Sequence, residues 1–364
     1  MAVYYVTISL LTGLGYFLTE KKQKNKTTLC YLAAAFLLLA FLASFRYAIG
    51  FDYFSYRDLY EMVSQWSFAD IFRYLQTEPL YYVVSKIFSL AGCPFQIFLL
   101  FVNLFLMATA MQFVYRYSKL PWVSVYLYIT LQFLAYNMNL IRQSIAVAFF
   151  LLSYPYLKNR KLLPYTFFIF LGGLFHNSLW FIYPLYFLLT WKYGKKTLSC
   201  LLAVTLVGYF FFDSIFPLIS PFLPTRYANY PSGYFWNANG FIYVVLPGMY
   251  WLFIYLFRNR MEDPFQRTLY LNSALYQFLI SLFITKHFIL ERFAIYPFVF
   301  SLLAIPEIID SYRKKTGTHT LNYRRVLFLF LFFGGAWFCF SAAEGFHRVY
   351  PYVSLLDKSM SVPN

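Results

Sequence analysis

Residues Thr27 to Phe45 read TTLCYLAAAFLLLAFLASF, without one charged side chain, between the basic run Lys21-Lys22-Gln23-Lys24-Asn25-Lys26 and a single arginine, Arg46. A helix needs roughly 20 mostly apolar residues to cross the hydrocarbon core of a bilayer, so this stretch is long enough to span. The whole chain agrees: its 364 residues are 61% hydrophobic, 24% aromatic and only 12% charged. Charged residues make up about a quarter of an ordinary soluble domain, so half that share describes a chain that lives in lipid. The cysteines, Cys30, Cys93, Cys200 and Cys339, sit in apolar stretches with no CxxC spacing. That pattern indicates neither a disulfide framework nor a zinc site.

Windows of the same size pick out further apolar segments at about 2–19, 95–115, 120–136, 139–157, 164–175, 178–189, 197–212, 241–257, 268–287, 290–309 and 326–343. The expected fold is therefore all-α, a single polytopic membrane domain over 1–364 with about 12 transmembrane segments. The first segment follows Met1-Ala2-Val3-Tyr4, with no positive start and no small-residue cleavage site, and is expected to be a retained helix. Segments 164–175 and 178–189 are each too short to cross alone and read as two half-helices meeting at His176-Asn177. The stretch 79–92 is also short, which suits a re-entrant or interfacial helix. Long loops are expected at about 46–78 and 213–240.

Thirty Lys and Arg against fourteen Asp and Glu give a net charge of +16. Such an excess suggests nucleic acid only where cations cluster on one soluble face. Here about two-thirds of them fall in alternate turns, around 20–26, 116–119, 158–161, 192–196, 258–267 and 310–325. Cations are retained on the cytoplasmic side, so these turns set the orientation and place both termini on the outer face of the plasma membrane. No nucleic-acid partner is expected.

Soluble-enzyme signatures such as HExxH, GxSxG and GxGxxG are absent, and no short-spaced carboxylate pair is present to hold a metal. The expectation is an activity without cofactor or metal. What remains is a sparse outer-side set of arginines, Arg46, Arg142, Arg226, Arg292 and Arg348, each beside an apolar span. An ionisable group there is expensive unless paired or wet. The planar guanidinium also binds phosphate oxygens bidentately and keeps its proton. Arginines converging at the outer headgroup level are what a lipid-linked pyrophosphate would need. The alternative is that each snorkels or pairs with Asp52, Glu78, Glu291 or Glu344. His176 and Asp52 are further ionisable residues on this side. A lone His between apolar segments is more often structural, and Asp52 also suits an ion pair with Arg46. His287 and His347 show no partner pattern. The outer loops that hold Tyr53 and Trp236 are dense in aromatic rings, which an interfacial aromatic belt explains for most of them.

Five motifs in order, Arg46 with Gly50-Phe51-Asp52-Tyr53, Glu78-Pro79, Ile141-Arg142-Gln143-Ser144, Phe175-His176 and the late Arg226-Tyr227 and Arg292 with Tyr296, run along nearly the whole chain. In this the chain resembles the EpsG family, which belongs with the Wzy-type polymerases of O-antigen, capsule and exopolysaccharide. Phe51 stands where family members often carry a small polar residue. The resemblance implies a membrane glycosyltransferase that moves a growing glycan from undecaprenyl pyrophosphate onto the next lipid-linked repeat. In that implied reaction Arg142, Arg226 and Arg292, then Arg46, are the expected pyrophosphate-binding residues, His176 and Asp52 are the candidates to take a proton from the attacking hydroxyl, and Tyr53, Glu78 and Trp236 are the expected sugar contacts. It also implies membrane lipid, a chain-length regulator and a flippase of the same pathway as partners. A lipid-linked oligosaccharide flippase is the main rival reading. It would place polar groups near the midplane, often in two related halves. An envelope O-acyltransferase is the third.

Overall fold

The computed structural model describes residues 1–20, 26–74, 77–219, 240–314 and 321–357. They form helices α1 (Ala2–Thr19), α2 (Lys26–Ser44), α3 (Tyr53–Gln65), α4 (Phe68–Tyr74), α5 (Pro79–Leu90), α6 (Phe95–Tyr117), α7 (Pro121–Thr130), α8 (Phe133–Asn139), α9 (Ile141–Lys158), α10 (Leu162–Gly173) and α11 (Ser178–Phe181). There follow α12 (Leu185–Leu188), α13 (Lys195–Ile219), α14 (Ile242–Phe257), α15 (Pro264–Ile284), α16 (Glu291–Phe298), α17 (Ser301–Lys314) and α18 (Leu321–Ala343). The only β element among the described residues is an isolated bridge between Arg46 and Ser354. An all-helical chain satisfies its backbone polar groups internally, which lipid requires.

Among the described residues, five helices are long and apolar enough to cross a membrane: α1, α2, α6, α13 and α18. The bent pair Phe288–Phe298 and Ser301–Arg313 also passes when taken together. These helices do not confirm the expected count of about 12 segments, two of them half-helices. The segment 120–136 is divided between α7 and α8, where Gln132 takes a left-handed conformation (φ 72°). The segment 178–189 contains only the four-residue turns α11 and α12, because Pro184 lacks the amide a continuing helix would need. The segment 46–78 is not a long loop but carries α3 and α4. The second expected loop falls mostly on residues 220–239, outside the described ones.

The chain divides into two compact units, residues 1–181 with 302–364, and residues 182–301. In the first, every residue of α7 from Pro121 to Thr130 is buried. A helix apolar on all sides belongs at a centre, and α7 packs against α1, α2, α6 and α18. Two polar clusters mark opposite ends of α1, which at 1.5 Å per residue lie about 27 Å apart. At its C-terminal end, the buried Glu20 accepts from Trp122 Nε1 (2.7 Å) and from the Tyr323 hydroxyl, while Arg313 Nη1 donates to the Glu20 carbonyl (2.7 Å). At its N-terminal end the Tyr4 hydroxyl donates to the Val349 carbonyl (2.8 Å). The start of α7 (Trp122), the end of α17 (Arg313) and the start of α18 (Tyr323) meet at the Glu20 end, and Val349 lies at the other.

In the second unit α14 packs on α15, with Trp251 stacked on Phe278 at 6.2 Å. Asp263 caps α15 by accepting from Phe265 N (2.8 Å), and Pro264 takes the first helical position. Asn272 holds the carbonyls of Leu188, Leu189 and Trp191 at 2.8 to 3.1 Å. Nothing in the α13 window is buried, and Phe210 and Leu218 are exposed, which suits a helix facing lipid.

Candidate functional site

The site of the first unit grows from a break at Leu140, where α8 ends and α9 begins. Arg46 fills one side of it. Its Nη1 donates to the Ala43 carbonyl and its Nη2 to the Met138 carbonyl (2.6 Å), so the ends of α2 and α8 share one cation. Carbonyls at helix C-termini have no helical partner and carry the negative end of the dipole, so an arginine there satisfies both needs. Gly50 passes close by at φ +98°, and a Cβ there would meet the Met138 carbonyl oxygen at 3.0 Å. Only glycine takes that backbone without strain.

Asn139 joins the loop to the C-terminal tail. Its Oδ1 accepts from the Asp52 amide (3.0 Å), and its Nδ2 lies 2.8 Å from His347 Nδ1. Gly50 N donates to the Arg348 carbonyl (2.9 Å), and the Tyr350 hydroxyl donates to Gln132 Oε1 (2.6 Å). Burial pushes the His347 imidazole down to about 3, so the ring is neutral. His347 therefore has a partner that its sequence context does not announce.

On the other side of the break, the first turn of α9 carries Arg142. Nη1 of Arg142 donates to Glu78 Oε2 (2.6 Å) and to the Tyr82 hydroxyl (3.0 Å). The Tyr56 and Tyr81 rings lie 5.8 and 5.9 Å from its guanidinium carbon, within cation–π range. Arg142 keeps 16% of its side chain exposed and its Nε is buried with no hydrogen-bond partner, whereas Glu78 is only 1% exposed.

Glu78 is a left-handed residue (φ 60°, ψ 46°) immediately before Pro79, which opens α5. A non-glycine residue there costs about 1–3 kcal/mol and persists only where its surroundings hold it. They do so from three directions. Leu80 N donates to the Leu174 carbonyl (3.2 Å), which draws the start of α5 to the end of α10. His176 Nδ1 lies 2.5 Å from Glu78 Oε1, and Asn177 N donates to the same oxygen (3.4 Å). Gly172 and Gly173 end α10 without side chains, because a Cβ at either would strike Phe149, Leu179 or Trp180. His176 N then donates to the Gly172 carbonyl (3.0 Å), seating the imidazole beside the carboxylate.

Of the residues expected from sequence, Arg142, Glu78 and His176 meet at one point. Glu78 meets them as the partner of Arg142 and His176, the arginine pairing raised above as the alternative. Arg46 is fully buried on backbone carbonyls, with Tyr53 near it (5.8 Å) and the Tyr53 hydroxyl donating to Gln96 Oε1 (3.3 Å). Asp52 precedes α3 and donates its amide to Asn139. Arg226 and Trp236 lie outside the described residues. Arg292 lies in the first turn of α16 in the second unit. In that unit Asp213 accepts from Lys286 Nζ (2.6 Å) and lies 2.5 Å from His287 Nε2, a partnership not visible in the sequence. Tyr81 and Tyr82 are site residues beyond those expected from sequence. Their signal is the spacing from Glu78, since residues three and four along a helix share its face.

Among the described residues, no group of three or more His, Cys, Asp or Glu side chains assembles that could hold a metal ion. The chemistry at hand is that of a fixed cation, a buried carboxylate and an oriented imidazole. No curated protein and no solved structure matches the chain. The EpsG family model matches residues 29–354, nearly the whole length and every part of the Arg142 site, and the chain belongs to the EpsG family.

Proposed function

We propose that the protein is a polymerase of lipid-linked polysaccharide repeat units, acting at the outer face of the bacterial plasma membrane. The observation that carries this reading is the meeting of Arg142, Glu78 and His176 in a chain of the EpsG family. The donor is a growing glycan on undecaprenyl pyrophosphate, and the acceptor is the non-reducing sugar of the next lipid-linked repeat. An acceptor hydroxyl oxygen attacks the anomeric carbon of the donor glycan, and the bond from that carbon to the phosphate oxygen breaks. The electron pair leaves with undecaprenyl pyrophosphate, and the hydroxyl proton passes to His176. Charge grows on the departing oxygen, where a fixed guanidinium stabilises it most. Arg142 is the residue we assign to that oxygen; Arg226 and Arg292 are proposed as anion-binding residues on their sequence context.

Asp52, Tyr53 and Trp236 are assigned to the sugars, and Arg46 supports the site from within. No cofactor or metal enters this scheme. Membrane lipid surrounds the protein, and a chain-length regulator and a flippase of the same pathway are the proposed partners. Deletion in the native host, followed by analysis of lipid-linked glycans, tests the reading. Single repeats accumulating on the outer leaflet support it. Accumulation on the inner leaflet would favour a flippase, and full-length polymer lacking acyl groups an O-acyltransferase.

A further inference from the structure

Glu78 is an unusual place for a carboxylate. It is buried, held in a left-handed backbone conformation, and shared between two side chains that come from α9 and from the turn after α10. A carboxylate that only neutralised Arg142 would need neither His176 nor the strained backbone. We infer that Glu78 is a positioning residue that fixes the tautomer of His176, with Arg142 locking the carboxylate in register. This rests on the glycosyl transfer proposed above and names the group that orients its base.

The chemistry follows from which atoms can donate. An ionised carboxylate only accepts, so His176 Nδ1, at 2.5 Å from Oε1, carries the hydrogen. In the neutral ring the lone pair then resides on Nε2, the nitrogen left to take a proton from a hydroxyl. When that proton arrives, the imidazolium is stabilised by Glu78 next to it, as a buried aspartate stabilises the histidine of a serine-protease triad. Arg142 donates to the other oxygen at 2.6 Å and cannot accept. The carboxylate is therefore pinned at both ends, and turning away from the ring would take the charged acceptor from one N–H of Arg142, whose Nη1 would keep only the Tyr82 hydroxyl.

Replacement of Glu78 by glutamine separates positioning from packing, because shape is kept. Arg142 has donors only and claims the single amide oxygen. The amide nitrogen then faces His176 and donates to Nδ1, which forces the hydrogen onto Nε2. Glu78→Gln should thus reverse the tautomer while leaving the fold intact. Aspartate in place of Glu78 keeps an acceptor-only group and should keep the tautomer.

The test uses the full chain, labelled with 15N-histidine and held in lipid nanodiscs, with the His176 signal assigned from a His176→Gln sample. Extension of an undecaprenyl-pyrophosphate-linked repeat is followed on the same preparations. The expected result is an Nδ1–H tautomer in the wild type and in Glu78→Asp, an Nε2–H tautomer in Glu78→Gln, and extension about 10³- to 10⁴-fold slower in Glu78→Gln. A wild-type His176 protonated on Nε2 would overturn the inference even if no variant folds. So would a Glu78→Gln protein that extends glycan at the wild-type rate. Correct tautomers in a wild-type protein that extends nothing would leave the orientation by Glu78 standing and remove the glycosyl transfer.

Discussion

Arg46 Nη2 donates to the Met138 carbonyl at 2.6 Å, joining the end of α8 to the end of α2, whose Ala43 carbonyl takes Nη1. Two helix C-termini thus lean on one buried cation. Removing it strands two carbonyls in the interior, each worth about 1–3 kcal/mol. We expect Arg46→Met to lower stability by about 2–4 kcal/mol and Arg46→Lys to recover part of it. Thermal melting of the purified protein in detergent measures both. A melting temperature unchanged in Arg46→Met would show that the guanidinium is not a structural link.

Arg142 differs because part of it faces outward. Lysine at this position keeps the charge opposite Glu78 but loses the planar set of donors that can bridge two phosphate oxygens. Polymer extension should fall about 10²- to 10³-fold in Arg142→Lys, by analogy with the loss of one fixed donor to a developing oxyanion. Membrane insertion, read from the amount of protein in the membrane fraction, should stay at the wild-type level.

The neutral His347 adds a pH dependence to the tail. Its folded-state value of about 3 lies below the ordinary 6.5, so the unfolded chain binds the extra proton between these limits. Its contribution to stability is complete above pH 6.5 and is lost as the pH falls toward 3. The slope is at most about 1.4 kcal/mol per pH unit. Melting curves between pH 7.5 and 4.5 should therefore slope less in His347→Gln than in the wild type. Equal slopes would assign the acid sensitivity to other groups.

The proposed orientation puts α4 outside and the α9–α10 turn inside. In a chain whose four cysteines are replaced by alanine, Ser67→Cys should react with a membrane-impermeant maleimide on intact cells. Lys161→Cys should react only after the membrane is opened. The reverse pattern would invert the protein.

The long spans are legible because a bilayer demands some twenty apolar residues in a row, as in Thr27 to Phe45. Arg142 and His176 stand out for the same reason, as ionisable groups beside apolar runs. Their partnership through Glu78 does not, since nothing local in the sequence encodes which distant carboxylate meets which imidazole. It depends on the α5–α10 contact made by Leu80 and Leu174. The helix α3 is a different case. Tyr53, Tyr56, Tyr60 and Val63 are all buried and follow helical spacing. That period was available, but the tyrosines also fit an interfacial belt. Segment 178–189 reads as helix from its apolar content, while Pro184 divides it.

The central claim is best tested by supplying purified protein in liposomes with undecaprenyl-pyrophosphate-linked repeats and measuring glycan length against released undecaprenyl pyrophosphate. We predict that every repeat added releases one undecaprenyl pyrophosphate, and that Arg142→Lys and His176→Ala suppress both together. Movement of unchanged lipid-linked repeats across the bilayer, with no elongation and no release, would contradict it.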